Sequence, residues 1–84
     1  MAIYPSRQFQ KDLKNLYKNT NYKTKVKKSL YLLQSNPNHP SLRLHKLSGT
    51  NNYSVSVDMS IRIINNIDSD DIYLLRIGPH QLVY

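Results

Sequence analysis

The hydrophobic positions of this chain change period partway along it. Residues 1–4 are a short apolar start, read as an edge strand that Pro5 ends. Ser6 is a good N-cap, and Phe9, Leu13, Leu16 and Tyr17 follow at helical spacing, predicting an amphipathic helix over residues 7–18. Asn19-Thr20-Asn21 breaks it. Tyr22, Val26, Leu30 and Leu33 mark a second helix to about Gln34. Two helices joined by so short a turn predict an antiparallel hairpin, with its apolar stripes facing the core.

Beyond residue 35 the period shortens to two. Residues 35–41 are a loop rich in turn formers, in which Pro40 holds His39 extended and solvated. Residues 42–47 alternate if extended, which would place Arg43 and His45 on one face, opposite Leu42 and Leu44. Residues 48–52 read as a turn. Tyr53, Val55 and Val57 alternate with Ser54, Ser56 and Asp58, the pattern of a half-buried strand. Residues 61–65 predict another strand, 66–71 a polar turn, and 72–77 a buried strand that Gly78-Pro79 ends. The order predicts an α+β fold: two N-terminal helices on an antiparallel sheet of about four strands, one domain over residues 1–84.

Composition narrows the function classes. Eighty-four residues bury only roughly 60–65% of their unfolded surface, so the core is thin. With no Cys, disulfides, thiolate metal sites and thiol nucleophiles are excluded. No apolar run approaches the roughly 20 residues of a membrane span, and no signal-peptide pattern opens the chain, so a cytoplasmic protein without membrane contact is expected. The net charge is +7, and ten of the twelve Lys and Arg fall before residue 47 against a single acid, Asp12. Such a basic half is expected to face a polyanion. Its candidate nucleic-acid contacts are Lys11, Lys14, Lys18, Lys23, Lys25, Lys27, Lys28, Arg43 and Lys46. The acidic turn Asp68–Asp71 is read as solvated rather than as a metal site, and no metal or cofactor is expected.

The candidate chemistry lies toward the end of the chain. Arg76, His80 and Tyr84 follow at intervals of four around Gly78-Pro79. They offer a fixed cation, a group that titrates near neutral pH and an aromatic plate, a set suited to phosphodiester chemistry. If the last hairpin turns on Ser69, Arg62 lies opposite Arg76, and two facing cations call for an anion between them. A scissile phosphate is one candidate and Asp58 the internal one. Metal-free RNA cleavage needs a base for the 2′-hydroxyl, an acid for the leaving oxygen and cations for the phosphorane. His80 and His45 suit the first two tasks and Arg76 and Arg62 the third.

The strand end Arg76-Ile-Gly-Pro-His80, the aromatic Tyr84, the His45-Lys-Leu-Ser-Gly49 motif and the following hairpin arm of residues 53–64 resemble the RelE/ParE superfamily of toxins, and within it the YafQ-like branch. The resemblance implies a RelE-like fold and ribosome-dependent, metal-independent cleavage of mRNA. It also implies neutralisation by a cognate acidic antitoxin. It carries site roles onto His45, Arg76, His80 and Tyr84, the last where the pattern usually has Phe; Arg62 rests on the wider superfamily. The further His of the middle strand and the Asp-Trp pair of that branch are missing here, and only Asp58 stands in their place. Other readings are a ParE-like, non-enzymatic toxin that poisons DNA gyrase and a catalytically silent nucleic-acid-binding module.

Overall fold

One residue, Ser6, sets how the chain enters its first helix. In the computed structural model, which describes residues 2–18 and 21–79, Ala2–Pro5 forms strand β1 and Arg7–Leu16 forms helix α1. The Ser6 hydroxyl accepts from the Phe9 N–H at 3.0 Å and so caps α1. The same hydroxyl donates to the Leu75 carbonyl at 3.0 Å, and the Ser6 N–H donates to that of Leu74 at 2.8 Å. The cap thereby ties the start of α1 to the last strand.

Helix α2 spans Tyr22–Ser35, and a single 3-10 turn follows at Pro40–Leu42. Then come β2 (His45–Lys46), β3 (Asn52–Ser56), β4 (Ile61–Asp68) and β5 (Asp71–Pro79). The five strands lie in the order β1-β5-β4-β3-β2, with β1 parallel to β5 and every other pair antiparallel. The apolar start joins the sheet as the edge strand it was read to be, which brings the strands to five where about four were expected.

The helices cover one face of the sheet. Val55, Ile61, Ile63, Ile72, Leu74 and Ile77 pack there against Phe9 of α1, Val26 and Leu33 of α2 and Leu42 of the 3-10 turn. In β5 the inward residues step from 72 to 74 and then to 77. That interval of three is a β-bulge: Asn65 pairs with Leu74 and Ile64 with Arg76, leaving Leu75 unpaired.

Several boundaries differ from expectation. Residues 42–47 are not one extended strand, because Arg43 adopts the left-handed conformation (φ 48°, ψ 47°) and only His45–Lys46 pairs. Residues 66–68 prolong β4, and the turn shrinks to Ser69 and Asp70, Ser69 taking the positive φ (55°) that tight hairpins demand. β5 does not end at Gly78-Pro79 but pairs through them. The Ile77 N–H faces away from β4, so the proline nitrogen two residues on faces the same open side, where no ladder bond is lost. The serines of β3 are buried, as Val55 is, so this strand is covered on both faces rather than half-buried.

Asn65 stands in the inward series of β4. It is fully buried, and neither atom of its amide has a hydrogen-bond partner. An unsatisfied buried amide costs about 1–3 kcal/mol, whereas a leucine has almost the same shape and no such cost. Asn65→Leu is therefore expected to stabilise the protein by about that amount in a denaturant titration; an unchanged or lowered midpoint would contradict it.

Candidate functional site

The helix-free face of the sheet holds the candidate groups in two cross-strand rows. One row reads His45, Ser54, Ile64, Arg76 across β2, β3, β4 and β5; the next reads Ser56, Arg62, Gly78. Three strand spacings separate the backbones of His45 and Arg76, about 14 Å. Arg62 lies between them.

His45 is positioned by the unusual backbone just before it. Its Nδ1 lies 3.2 Å from the Arg43 carbonyl oxygen. A carbonyl only accepts, so Nδ1 is the donor in this contact; in the neutral ring the lone pair that a general base requires is then on Nε2. The glycine of the same motif, Gly49, sits in the following turn at φ 76°, which explains its presence on backbone grounds alone.

Arg62 does not face Arg76. The hairpin turns between Ser69 and Asp70, and the bulge at Leu75 adds a further residue, so Arg62 pairs with Gly78 and Arg76 with Ile64. The like-charge opposition that called for an anion between them is absent. Arg62 instead donates from NH1 to the Ser56 hydroxyl at 2.9 Å. It lines a cleft of about 380 Å³ with Ser41, Arg43, Ser56, Val57, Asp58 and Met59.

The anion that Arg76 meets is Asp12 of α1, which the sequence shows only as the lone acid of a basic half. Arg76 donates to it twice, from Nε at 3.0 Å and from NH2 at 3.1 Å, and the Ile77 N–H adds a third bond at 3.2 Å. Gln8 supplies a fourth at 3.0 Å. Asp12 is nearly covered, with 10% of its side chain exposed, while Arg76 keeps 42%. Burial alone would raise the Asp12 pKa, but the bonds from Arg76, Gln8 and Ile77 outweigh it and hold the carboxyl below its ordinary value. Asp12 in turn raises the pKa of Arg76. No pattern within α1 announces this pair, because its members are 64 positions apart.

Asp58, the expected internal partner of the arginines, is committed elsewhere. It accepts from the Ser60 and Ile61 N–H groups, both at 2.8 Å, and from Lys25 at 3.3 Å. Burial pushes its carboxyl up, and these three donors more than offset that, leaving it below its ordinary pKa. His39 is a local cap: its Nδ1 accepts from the Ser41 N–H at 3.2 Å and lies 2.8 Å from the Ser41 hydroxyl.

Of the nine cations expected to touch RNA, only Arg43 lines the cleft with Arg62. Lys46 follows His45 and so points to the other side of β2. Lys11, Lys14, Lys18, Lys23, Lys25, Lys27 and Lys28 are exposed on the helix layer, and of these Lys25 reaches Asp58 in the wall of that cleft at 3.3 Å. His80 and Tyr84 lie outside the described residues. Among the described residues no group of three or more His, Asp or Glu is placed to hold a metal ion, and no helix is long and apolar enough to cross a membrane.

This architecture has known counterparts. The profile of the family described as ParE toxin of type II toxin-antitoxin system, parDE, matches residues 3–84. The chain belongs to this toxin family. It is thus a member of the RelE/ParE superfamily, and the fold expected from its motifs is the one found. The metal-bound toxin from Helicobacter pylori superposes with a TM-score of 0.85 at 24% identity, covering 100% of this chain and 99% of that one. YafQ in the E. coli DinJ-YafQ toxin-antitoxin complex gives 0.86 at 23% identity, over 98% and 94%. The YoeB-YefM complex from Staphylococcus aureus gives 0.78 at 21%, over 95% and 97%. No curated protein sequence matches the chain.

The Asp12–Arg76 pair yields a signed pH dependence. Because the carboxyl is held below its ordinary value of 3.8, its contribution is complete above the unfolded pKa and is lost as pH falls through the lower native one. Asp12→Asn is expected to unfold at lower denaturant concentration at pH 7, and the gap from the parent protein should close as pH drops below about 4. A gap that stayed constant down to about pH 2, below the carboxylate range, would show that the ion pair is not its source.

Proposed function

We propose that this toxin is an endoribonuclease that cleaves mRNA at the ribosomal A site and so stops translation, held inactive by a cognate acidic antitoxin. The observation that carries the reading is the placement of His45. Its Nδ1 is engaged by a backbone carbonyl and its Nε2 is left free, on the same sheet face as Arg62 and Arg76. An imidazole whose neutral form presents Nε2 as a base, on a face that also carries cations, suits proton transfer to and from a phosphodiester.

In the proposed reaction His45 takes the 2′-hydroxyl proton. The 2′-oxygen attacks the adjacent phosphorus, and the bond to the 5′-oxygen breaks. His80 protonates that leaving oxygen, so the products are a 2′,3′-cyclic phosphate and a 5′-hydroxyl. Arg62 and the uncommitted side of Arg76 meet the added charge, and Tyr84 stacks on a base. Solved relatives bound to DinJ and to YefM support an antitoxin partner.

The second reading is a toxin that poisons DNA gyrase without catalysis. It is favoured by the ParE description of the matching family and by the absence of a histidine between positions 46 and 79. Induced expression separates the two. The nuclease reading expects mRNA cut within reading frames and unaltered DNA supercoiling, with His45→Ala, His80→Ala and Arg62→Ala each lowering cleavage roughly 10²-fold or more. Intact mRNA together with gyrase-linked DNA breaks would decide for the other.

A further inference from the structure

Arg43 has two anomalies that the site as described does not use. It is a non-glycine residue at φ 48°, in the left-handed region that ordinary side chains rarely adopt. Its guanidinium is also exposed and makes no hydrogen bond or ion pair among the described residues. The backbone geometry is useful, since it aims the Arg43 carbonyl at His45. Glycine would supply that geometry without strain, so the backbone does not explain why the residue is an arginine.

The surroundings of the side chain do. Arg43 and Arg62 line the same cleft, together with the Ser41 and Ser56 hydroxyls. Arg62 is held from behind by Ser56 through one nitrogen, NH1, which leaves the rest of its fork for another acceptor. The carboxylate in the cleft wall, Asp58, is already met by two backbone N–H groups and by Lys25. Two arginines therefore line a cleft whose one acid is answered from outside it. Arg76 differs, because Asp12 occupies its Nε–NH2 edge.

We propose that Arg43 and Arg62 form a subsite that grips a phosphodiester group of single-stranded RNA, so that Arg43 adds a phosphate contact to those of Arg62 and Arg76. Planar guanidiniums suit this ligand because each offers paired donors to the non-bridging oxygens. The strand is single because the nuclease reading, on which the subsite rests, takes mRNA as its substrate. The subsite deepens the nuclease reading and rests on it for its choice of RNA.

The test uses the full chain and a single-stranded oligoribonucleotide carrying 2′-O-methyl groups, which removes the nucleophile and separates binding from cleavage. Arg43→Gly keeps the left-handed backbone and deletes the guanidinium; Arg43→Asn, which also tolerates that conformation, is the second variant should the first fold poorly. Each neutralised phosphate contributes about 0.7 to the slope of log affinity against log salt for single strands, so losing one contact should lower the slope by about 0.7 and weaken binding about fourfold at about 0.15 M salt. Arg7→Gln, an exposed cation of α1, removes the same charge elsewhere and should leave the slope as it was. An unchanged slope in both Arg43 variants would overturn the subsite, and so would an equal fall in Arg7→Gln. If the slope falls as expected while the parent protein fails to cut mRNA on ribosomes, the subsite stands and the nuclease reading falls. Cleavage by the parent with an unchanged slope in the variants would leave the nuclease reading standing and remove the subsite.

Discussion

The seam between α1 and β5 is the contact on which the rest of the molecule depends. β5 is the inner strand that binds β1 on one side and β4 on the other, but β1 reaches only from Asp71 to Leu74. Beyond Leu74 the outer edge of β5 would show bare backbone donors and acceptors, a template for unwanted pairing. Ser6 and Asp12 close it. Ser6 takes the Leu74 and Leu75 carbonyls, and Asp12, six residues along the helix, takes the Ile77 N–H and the Arg76 guanidinium. An otherwise basic front half keeps one carboxylate because an anion is required at that position.

Closing the edge also orients the site. With the β5 backbone fixed on both sides, the bulge at Leu75 is held in place, and it decides which residues share the open face. Shifting the pairing by one residue would exchange Arg76 and Gly78 with their inward neighbours, Ile77 among them. The catalytic layout proposed for this toxin is thus coupled to α1 through the same two side chains that cap and close the edge.

Local patterns were legible in the sequence, and pairwise geometry was not. The helices, the edge strand β1, the strands β3, β4 and β5 apart from their ends, and the apolar stripes of Phe9, Val26 and Leu33 followed from periodicity, because each is set by neighbours within a turn or two. His45, Arg62 and Arg76 were selected by residue type and motif, and all three lie on one face. The register between Arg62 and Arg76 was missed, since a single unpaired residue, Leu75, moves every pair beyond it. Arg43 was misplaced because alternation assumes extended backbone, whereas its own φ is positive. Ser54 and Ser56 are buried although their polarity reads as solvent-facing.

Charge in this protein therefore acts at two ranges. Apart from Lys25, which reaches Asp58 in the cleft wall, the helix lysines stand on the helix layer, about one packed layer from the strands that carry His45 and Arg62, on the order of 10 Å. That is close to the screening length of about 8 Å at physiological ionic strength, so their field reaches the site face weakened but not extinguished. They can draw a polyanion in from solution, yet they cannot fix where one phosphate sits. Fixing it falls to groups within contact distance, and on the described part of that face these are arginines in three electrostatic states. Arg76 is half-answered by Asp12, Arg62 is steadied by a neutral hydroxyl, and Arg43 is unanswered. Only the last two can give most of their charge to a ligand, which is why the open end of the site lies toward the cleft and away from the α1–β5 seam.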